Sequence, residues 1–289
     1  MKNNLLSLAI VALCVIGMAA CKKSTSDEPA VPQGKEHLSL YLTDGPGLFD
    51  KVLIDIRSVK VLVDTSANTR KHDNEDWDHQ GRDDDRRKDS SFVWETLNIK
   101  AGVYDILTFR NGADTLLAAS NVTKGSIRLI KIEIGTNNSL VKDNVTYPLN
   151  WPANMPNYVL LKLRGNECES YLPGKKRLWV DFDVSRSIVE NNNGFYLKPV
   201  FHFFVLSTTG TVAGKVTPRE GYPVVTVFNG SDTAYALPNR DGYFKVRGLG
   251  DGTYSVFVNA SNGYADTTIT NVVVKAPKET SIGAITLHK

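Results

Sequence analysis

From Leu38 onward the apolar residues fall on every second position: Leu38, Leu40 and Leu42, then Ile54 and Ile56 after the turn residues Asp44-Gly45-Pro46-Gly47. Side chains on a strand point alternately to the two faces of a sheet, so this rhythm suits a half-buried strand and does not line one face of a helix. Val59, Val61 and Val63 continue in the opposite phase. A slip of one residue turns every side chain to the wrong face, so a β-bulge is expected around Arg57-Ser58 to restore the register. Further strands are expected at 92–97, 103–109, 116–122, 127–134, 158–163, 178–182 and 196–206. Turn chemistry separates them at Arg110-Asn111-Gly112 and at Asn191-Asn192-Asn193-Gly194. No window offers a long amphipathic helix. Many short strands at this spacing indicate an all-β chain, built as a sandwich or a partly closed barrel.

The sequence divides in two. At Ser207-Thr208-Thr209-Gly210 an apolar strand gives way to small polar residues and a new β pattern begins. Residues 36–206 are expected to form one β-sandwich. Residues 210–289, with strands at 211–216, 224–228, 243–246, 254–258, 267–274 and 282–287, match a small immunoglobulin-like sandwich in size and rhythm. Hydrophobic residues at 42% and charged residues at 22% exclude a wholly disordered or polytopic membrane chain. The formal charge of +3 is not gathered into a basic stripe, so nucleic acid is not an expected partner.

The N-terminus reads as an address. Lys2 precedes an uncharged run at 5–20, shorter than the roughly 20 residues a spanning helix needs. The run ends Met18-Ala19-Ala20-Cys21, which resembles the lipobox of bacterial lipoproteins: small residues before a cysteine whose sulfur receives diacylglycerol. Residues 1–20 are then a lipoprotein signal peptide, and Cys21 is the lipidation site that ties the protein to a membrane. Residues 21–35 are Ser/Thr/Pro-rich and charged, a composition expected of a flexible linker. Cleavage removes Cys14 and acylation occupies Cys21, which leaves Cys168 as the one free thiol. Glu167 and Glu169 beside it would raise its pKa, so it is not expected to act as a nucleophile.

Two further resemblances rest on sets of motifs. Leu42-Thr43-Asp44-Gly45-Pro46-Gly47, Val52-Leu53-Ile54-Asp55-Ile56-Arg57-Ser58-Val59, the stretch from Gly102 to Gly112, and Asp181-Phe182-Asp183-Val184-Ser185-Arg186-Ser187 together resemble a bacterial lipoprotein family, the domain of unknown function 4382. The resemblance covers about 36–206 and implies an envelope lipoprotein without bringing an activity. The C-terminal part is similar to carboxypeptidase regulatory-like, or prealbumin-like, domains with a carbohydrate-binding-like fold. Gly214-Lys215-Val216, Asp241-Gly242-Tyr243-Phe244 and the stretch Gly248 to Val256 carry that likeness. It implies an accessory module on an exported protein, and fold alone does not settle function.

The residues with chemistry are few. The segment 70–90, RKHDNEDWDHQGRDDDRRKDS, interleaves acids and bases. Asp76-Trp77-Asp78-His79-Gln80-Gly81 copies the first half of an EF-hand loop, but Arg87 stands where the bidentate Glu belongs. The segment is expected to be a solvated hairpin insertion, with Asp76, Asp78 and Asp83 the candidate ligands should calcium bind. Trp77 and Trp179 are candidate ligand-contacting aromatics, and the flanking Leu178 and Val180 point Trp179 outward. Asp44 is a candidate turn cap or ion ligand. Asp181 and Asp183, two apart on a strand, are candidate general acid–base residues for glycan hydrolysis. His37, His202 and His288 stand isolated on strand-like segments. No nucleophile elbow, zinc-protease, P-loop or dinucleotide motif is present.

The expectation is a non-enzymatic, lipid-anchored lipoprotein of the bacterial cell envelope, at the outer membrane, binding a glycan or an envelope protein and needing no cofactor. The alternatives are carbohydrate capture by residues 210–289 and glycan hydrolysis by Asp181 and Asp183.

Overall fold

In the computed structural model, residues 30–45, 47–66, 91–164 and 167–289 are described, and 33–289 pack as one unit. The expected alternation builds the first sheet. Strand Lys35–Asp44 runs parallel to Lys175–Phe182, pairing Leu40 with Leu178 and Leu42 with Val180, and antiparallel to Thr115–Thr123. The far edge of Lys175–Phe182 is shared by Glu169–Leu172 and Phe201–Phe204. The second sheet is organised around the long strand Lys51–Asp64, flanked by Ser126–Ile134 and Ser139–Lys142 on one edge and by Phe92–Thr96 and Gly102–Asp105 on the other. Leu38, Leu40 and Leu42 from one sheet and Ile54, Val59 and Val61 from the other are buried in a common core. The bulge lies where the phase change required it: Ile56 pairs with Ile134 and Ser58 with Glu133, leaving Arg57 as the extra, exposed residue.

A second core, around Val212, Phe244, Val256 and Ile285, is enclosed by two further sheets. One consists of Tyr243–Leu249, Gly210–Thr217 and Glu279–Thr286. The other consists of Thr233–Ala236, Val224–Phe228, Gly252–Asn259 and Thr267–Val274. The chain is all-β and its sheets pack as sandwiches. Among the described residues no helix is long and apolar enough to cross a membrane.

Strands Glu169–Leu172, Ile188–Asn191 and Thr233–Ala236 have no counterpart among the expected elements, and three further segments depart from them. Only Gly102–Asp105 of the 103–109 stretch is a strand, and Ile106–Phe109 winds into a 3-10 turn. The neighbours Ile106 and Leu107 are both buried, which a strand's alternation would forbid on a one-sided sheet. The 196–206 stretch splits into Gly194–Leu197, in the second sheet, and Phe201–Phe204, in the first. Pro199, which has no N–H to give a ladder, stands at the crossing. The hairpin Ser139–Lys142 to Val145–Asn150 has no counterpart among the expected strands; Asp143 and Asn144 both take positive φ there, as a two-residue primed turn demands.

Candidate functional site

The outward face of the first sheet carries its chemistry in two rows. Tyr41, Trp179 and Phe204 lie side by side on three neighbouring strands, and Thr43, Asp181 and His202 form the next row. Trp179 points away from the first core, as its flanking residues indicated, but it is only 4% exposed. Its ring stacks on Tyr41 at 5.1 Å and faces Phe204 at 6.2 Å, and its Nε1 donates to Asp114 Oδ2 at 2.9 Å. Arg247, from strand Tyr243–Leu249, pairs with the same Asp114 oxygen at 3.0 Å. The candidate ligand-contacting ring thus lies in a covered seam with the C-terminal sandwich, flanked by Tyr41 and Phe204 and sharing Asp114 with Arg247.

The Asn111-Gly112 turn docks on the same partner. Asn111 Nδ2 donates to Leu237 O at 2.9 Å, and Gly112, at φ 83°, lies so close to Lys245 that a Cβ there would meet the Lys245 side chain at 2.6 Å. The turn is legible in the sequence but its contact is not, since nothing in a local motif names a distant strand.

Beside the seam opens a cavity of about 480 Å³, lined from the first sheet by Asp44, Asp181, Asp183 and His202 and from the C-terminal part by Tyr235 and Arg247. Asp183 lies just past the strand and caps the short helix Val184–Ser187: its Oδ1 accepts from Arg186 N at 3.0 Å and Ser185 Oγ at 2.6 Å. Burial pushes the Asp183 carboxyl up, but His202, Ser185 and Arg186 outweigh it and hold the group below the usual range. His202 is not isolated. Its Nε2 stands 3.6 Å from Asp183 Oδ2, and that carboxylate raises the imidazole's pKa.

Asp181 is different. Burial first, with the Asp183 charge adding, pushes its carboxyl up to about 6 against the attraction of His202 and Arg247. Asp44 is 8% exposed, and neither of its oxygens has a hydrogen-bond partner, so it is not the turn cap its sequence position suggested. Its carboxyl is raised well above the ordinary value, by burial and then by the Asp181 charge.

The Asp181 shift fixes a sign. A carboxyl that titrates near 3.9 unfolded and near 6 folded binds more protons when folded between those values, so stability falls as pH rises through that window. Asp181→Asn is expected to match the wild type at pH 4 and to exceed it by about 3 kcal/mol at pH 8, read by urea unfolding at both pH values. Equal stability of the two proteins at pH 8 would contradict this.

The other expected site residues are elsewhere. Cys21, Asp76, Trp77, Asp78 and Asp83 lie outside the described residues. The insertion that holds four of them leaves from a closed hairpin base, where Asp64 pairs with Phe92 and Thr65 N donates to Ser91 O at 2.8 Å. Burial pushes the Cys168 thiol up to about 12, in keeping with an unreactive side chain. His37 Nδ1 lies 3.0 Å from Asn121 Oδ1. Among the described residues, no group of three or more His, Cys, Asp or Glu side chains is placed to hold a metal ion.

Comparison with known proteins gives one family and several distant structural likenesses. A type II cohesin–X-dockerin complex from Acetivibrio cellulolyticus is 25% identical over 27% of this chain, with a TM-score of 0.23, and the match spans 56% of that chain. The shaft pilin SpaA from Lactobacillus rhamnosus GG is 12% identical over 88% of this chain and 97% of its own, with a TM-score of 0.25. The minor pilin from Streptococcus agalactiae is 11% identical over 87% of this chain and 95% of its own, with a TM-score of 0.21. No curated protein matches. The domain of unknown function DUF4382 matches residues 35–199, the stretch that builds the first core and the carboxylate face of the cavity, and the chain belongs to that family.

Proposed function

We propose that the protein is a non-enzymatic lipoprotein of the bacterial cell envelope, held at the outer membrane through Cys21 and acting as a binding or adhesion module. The observation that carries this reading is Met18-Ala19-Ala20-Cys21 at the end of an uncharged run, followed by a polar linker. One acyl chain binds a bilayer reversibly and two or three hold it durably, so the modification would tether the sandwiches without inserting them.

The cavity supports binding over hydrolysis. A raised Asp181 beside a lowered Asp183 resembles an acid–base pair. Yet Asp183 caps a helix and faces Arg186 and His202, so its oxygens are engaged where a general base would have to meet a water. Carbohydrate capture by residues 210–289 is a second reading, favoured by Tyr222 and Tyr235, which are 73% and 43% exposed and offer faces on which a sugar ring could stack.

Metabolic labelling with a radioactive fatty acid tests the anchor. The wild type takes up label and Cys21→Ser takes up none; an unlabelled wild type would refute the anchor.

A further inference from the structure

Most of the charged groups around the seam cavity are paired. Arg247 is paired with Asp114 at 3.0 Å, Lys245 with Glu279 at 2.7 Å, and Arg186 with Asp183 at 3.5 Å. Asp183 is further engaged by Ser185 and His202, and Asp232 receives the Tyr254 hydroxyl at 3.3 Å. Once these pairs are assigned, neither Asp44 nor Asp181 forms an ion pair within 4 Å among the described residues; Arg110 acts on Asp44, and His202 and Arg247 on Asp181, from farther off or while engaged elsewhere. Asp44 is more than nine-tenths buried, lines the cavity, and has both carboxylate oxygens shielded from water and unpartnered. A buried acceptor without a donor carries the full desolvation penalty of that group, and a ligand that supplies donors and positive charge would relieve it.

The occupant's chemistry follows from what is free. A hard metal ion wants six or more oxygens, but Asp183 is already engaged and Thr43 Oγ1 is bonded to Phe109 O and Ala113 O. No three acidic or histidine side chains converge among the described residues. A primary ammonium brings three N–H donors and one charge, which suits two carboxylates without further ligands. The cavity, at about 480 Å³, has the size of a small-molecule site. We propose that this seam cavity binds a small organic cation, with Asp44 and Asp181 accepting hydrogen bonds from its primary ammonium group. The site lies between the two sandwiches, so neither alone would complete it.

This goes beyond the anchored binding role and does not depend on acylation of Cys21. The test is calorimetric titration of the purified full chain at neutral pH with n-butylammonium chloride, with n-butanol as the uncharged counterpart and calcium chloride as the metal arm. Saturable binding of butylammonium alone is expected, weakened at least tenfold by Asp44→Asn and by Asp181→Asn. Should Asp44→Asn fail to fold, Asp181→Asn carries the comparison, since removing its buried charge is expected to stabilise the protein. No saturation with butylammonium, equal affinity for butanol, unchanged affinity in a folded variant, or saturation by calcium alone would each overturn the proposal. None of these outcomes bears on fatty-acid labelling, so failure of the site and failure of the anchor are distinguishable.

Discussion

Replacing Arg128 with methionine is expected to destabilise the protein by about 3–5 kcal/mol, because it strands a buried charge. Arg128 and Asp64 both have fully buried side chains. Nε and Nη2 of the guanidinium donate to Asp64 Oδ2 at 3.1 and 2.9 Å, and Nη1 donates to Arg164 O at 2.5 Å. Burial raises the Asp64 carboxyl, but the Ser66 N–H, which donates to its Oδ1 at 3.0 Å, and Arg128 hold it below the usual range. Its contribution is therefore present above an unfolded value near 3.9 and is lost as pH falls through the depressed folded value. Removing both charges, as in Asp64→Leu with Arg128→Met, should recover most of the loss, since two apolar side chains leave no unpaired ion. Urea unfolding of the single and double variants at pH 7 reads this directly. A double variant as unstable as Arg128→Met would show that packing, rather than the stranded carboxylate, sets the cost. The pair stands at the base of the 67–90 insertion, so it holds the strand ends from which that segment leaves.

Trp179→Ala is the second large effect, expected to cost about 3–5 kcal/mol. The indole is the middle ring of the Tyr41–Trp179–Phe204 row, lies under Arg177 at 5.1 Å, and donates to Asp114. Its removal opens a void where the first sheet meets the strand that carries Arg247. Trp179→Phe keeps most of the stack and loses the hydrogen bond, so a loss of about 1 kcal/mol separates the polar part from the packing part. Denaturant midpoints of both variants measure the difference. A Trp179→Ala protein as stable as the wild type would mean that the seam contributes nothing to folding.

Period-2 patterning makes most strands of the first sheet readable, and the phase change from Ile56 to Val59 is enough by itself to locate the bulge at Arg57. The same kind of phase change stands at Ile127 against Ile130 and Ile132, where Leu62 pairs with Leu129 but Val63 with Ile127, so Arg128 is the extra residue. No bulge was expected there, and the buried ion pair that depends on it was equally unexpected. The candidate site is legible only in part. Asp44, Asp181 and Asp183 stand out in local motifs, whereas the role of His202 depends on a ladder that sets it opposite Asp181 and within 3.6 Å of Asp183. For Trp179, alternation within one strand reports the face its side chain takes, away from the first core, and not what packs on that face. The cavity joins strands more than two hundred residues apart in sequence, as Thr43 and Arg247 show with a hydrogen bond of 3.3 Å, and no local pattern encodes such a pairing.

The most direct test of the anchored binding role is mass spectrometry of the N-terminal fragment of the protein isolated from its native membrane. The predicted result is a chain that begins at Cys21 and carries diacylglycerol on its sulfur. A free thiol at Cys21, or a fragment that still begins at Met1, would contradict it.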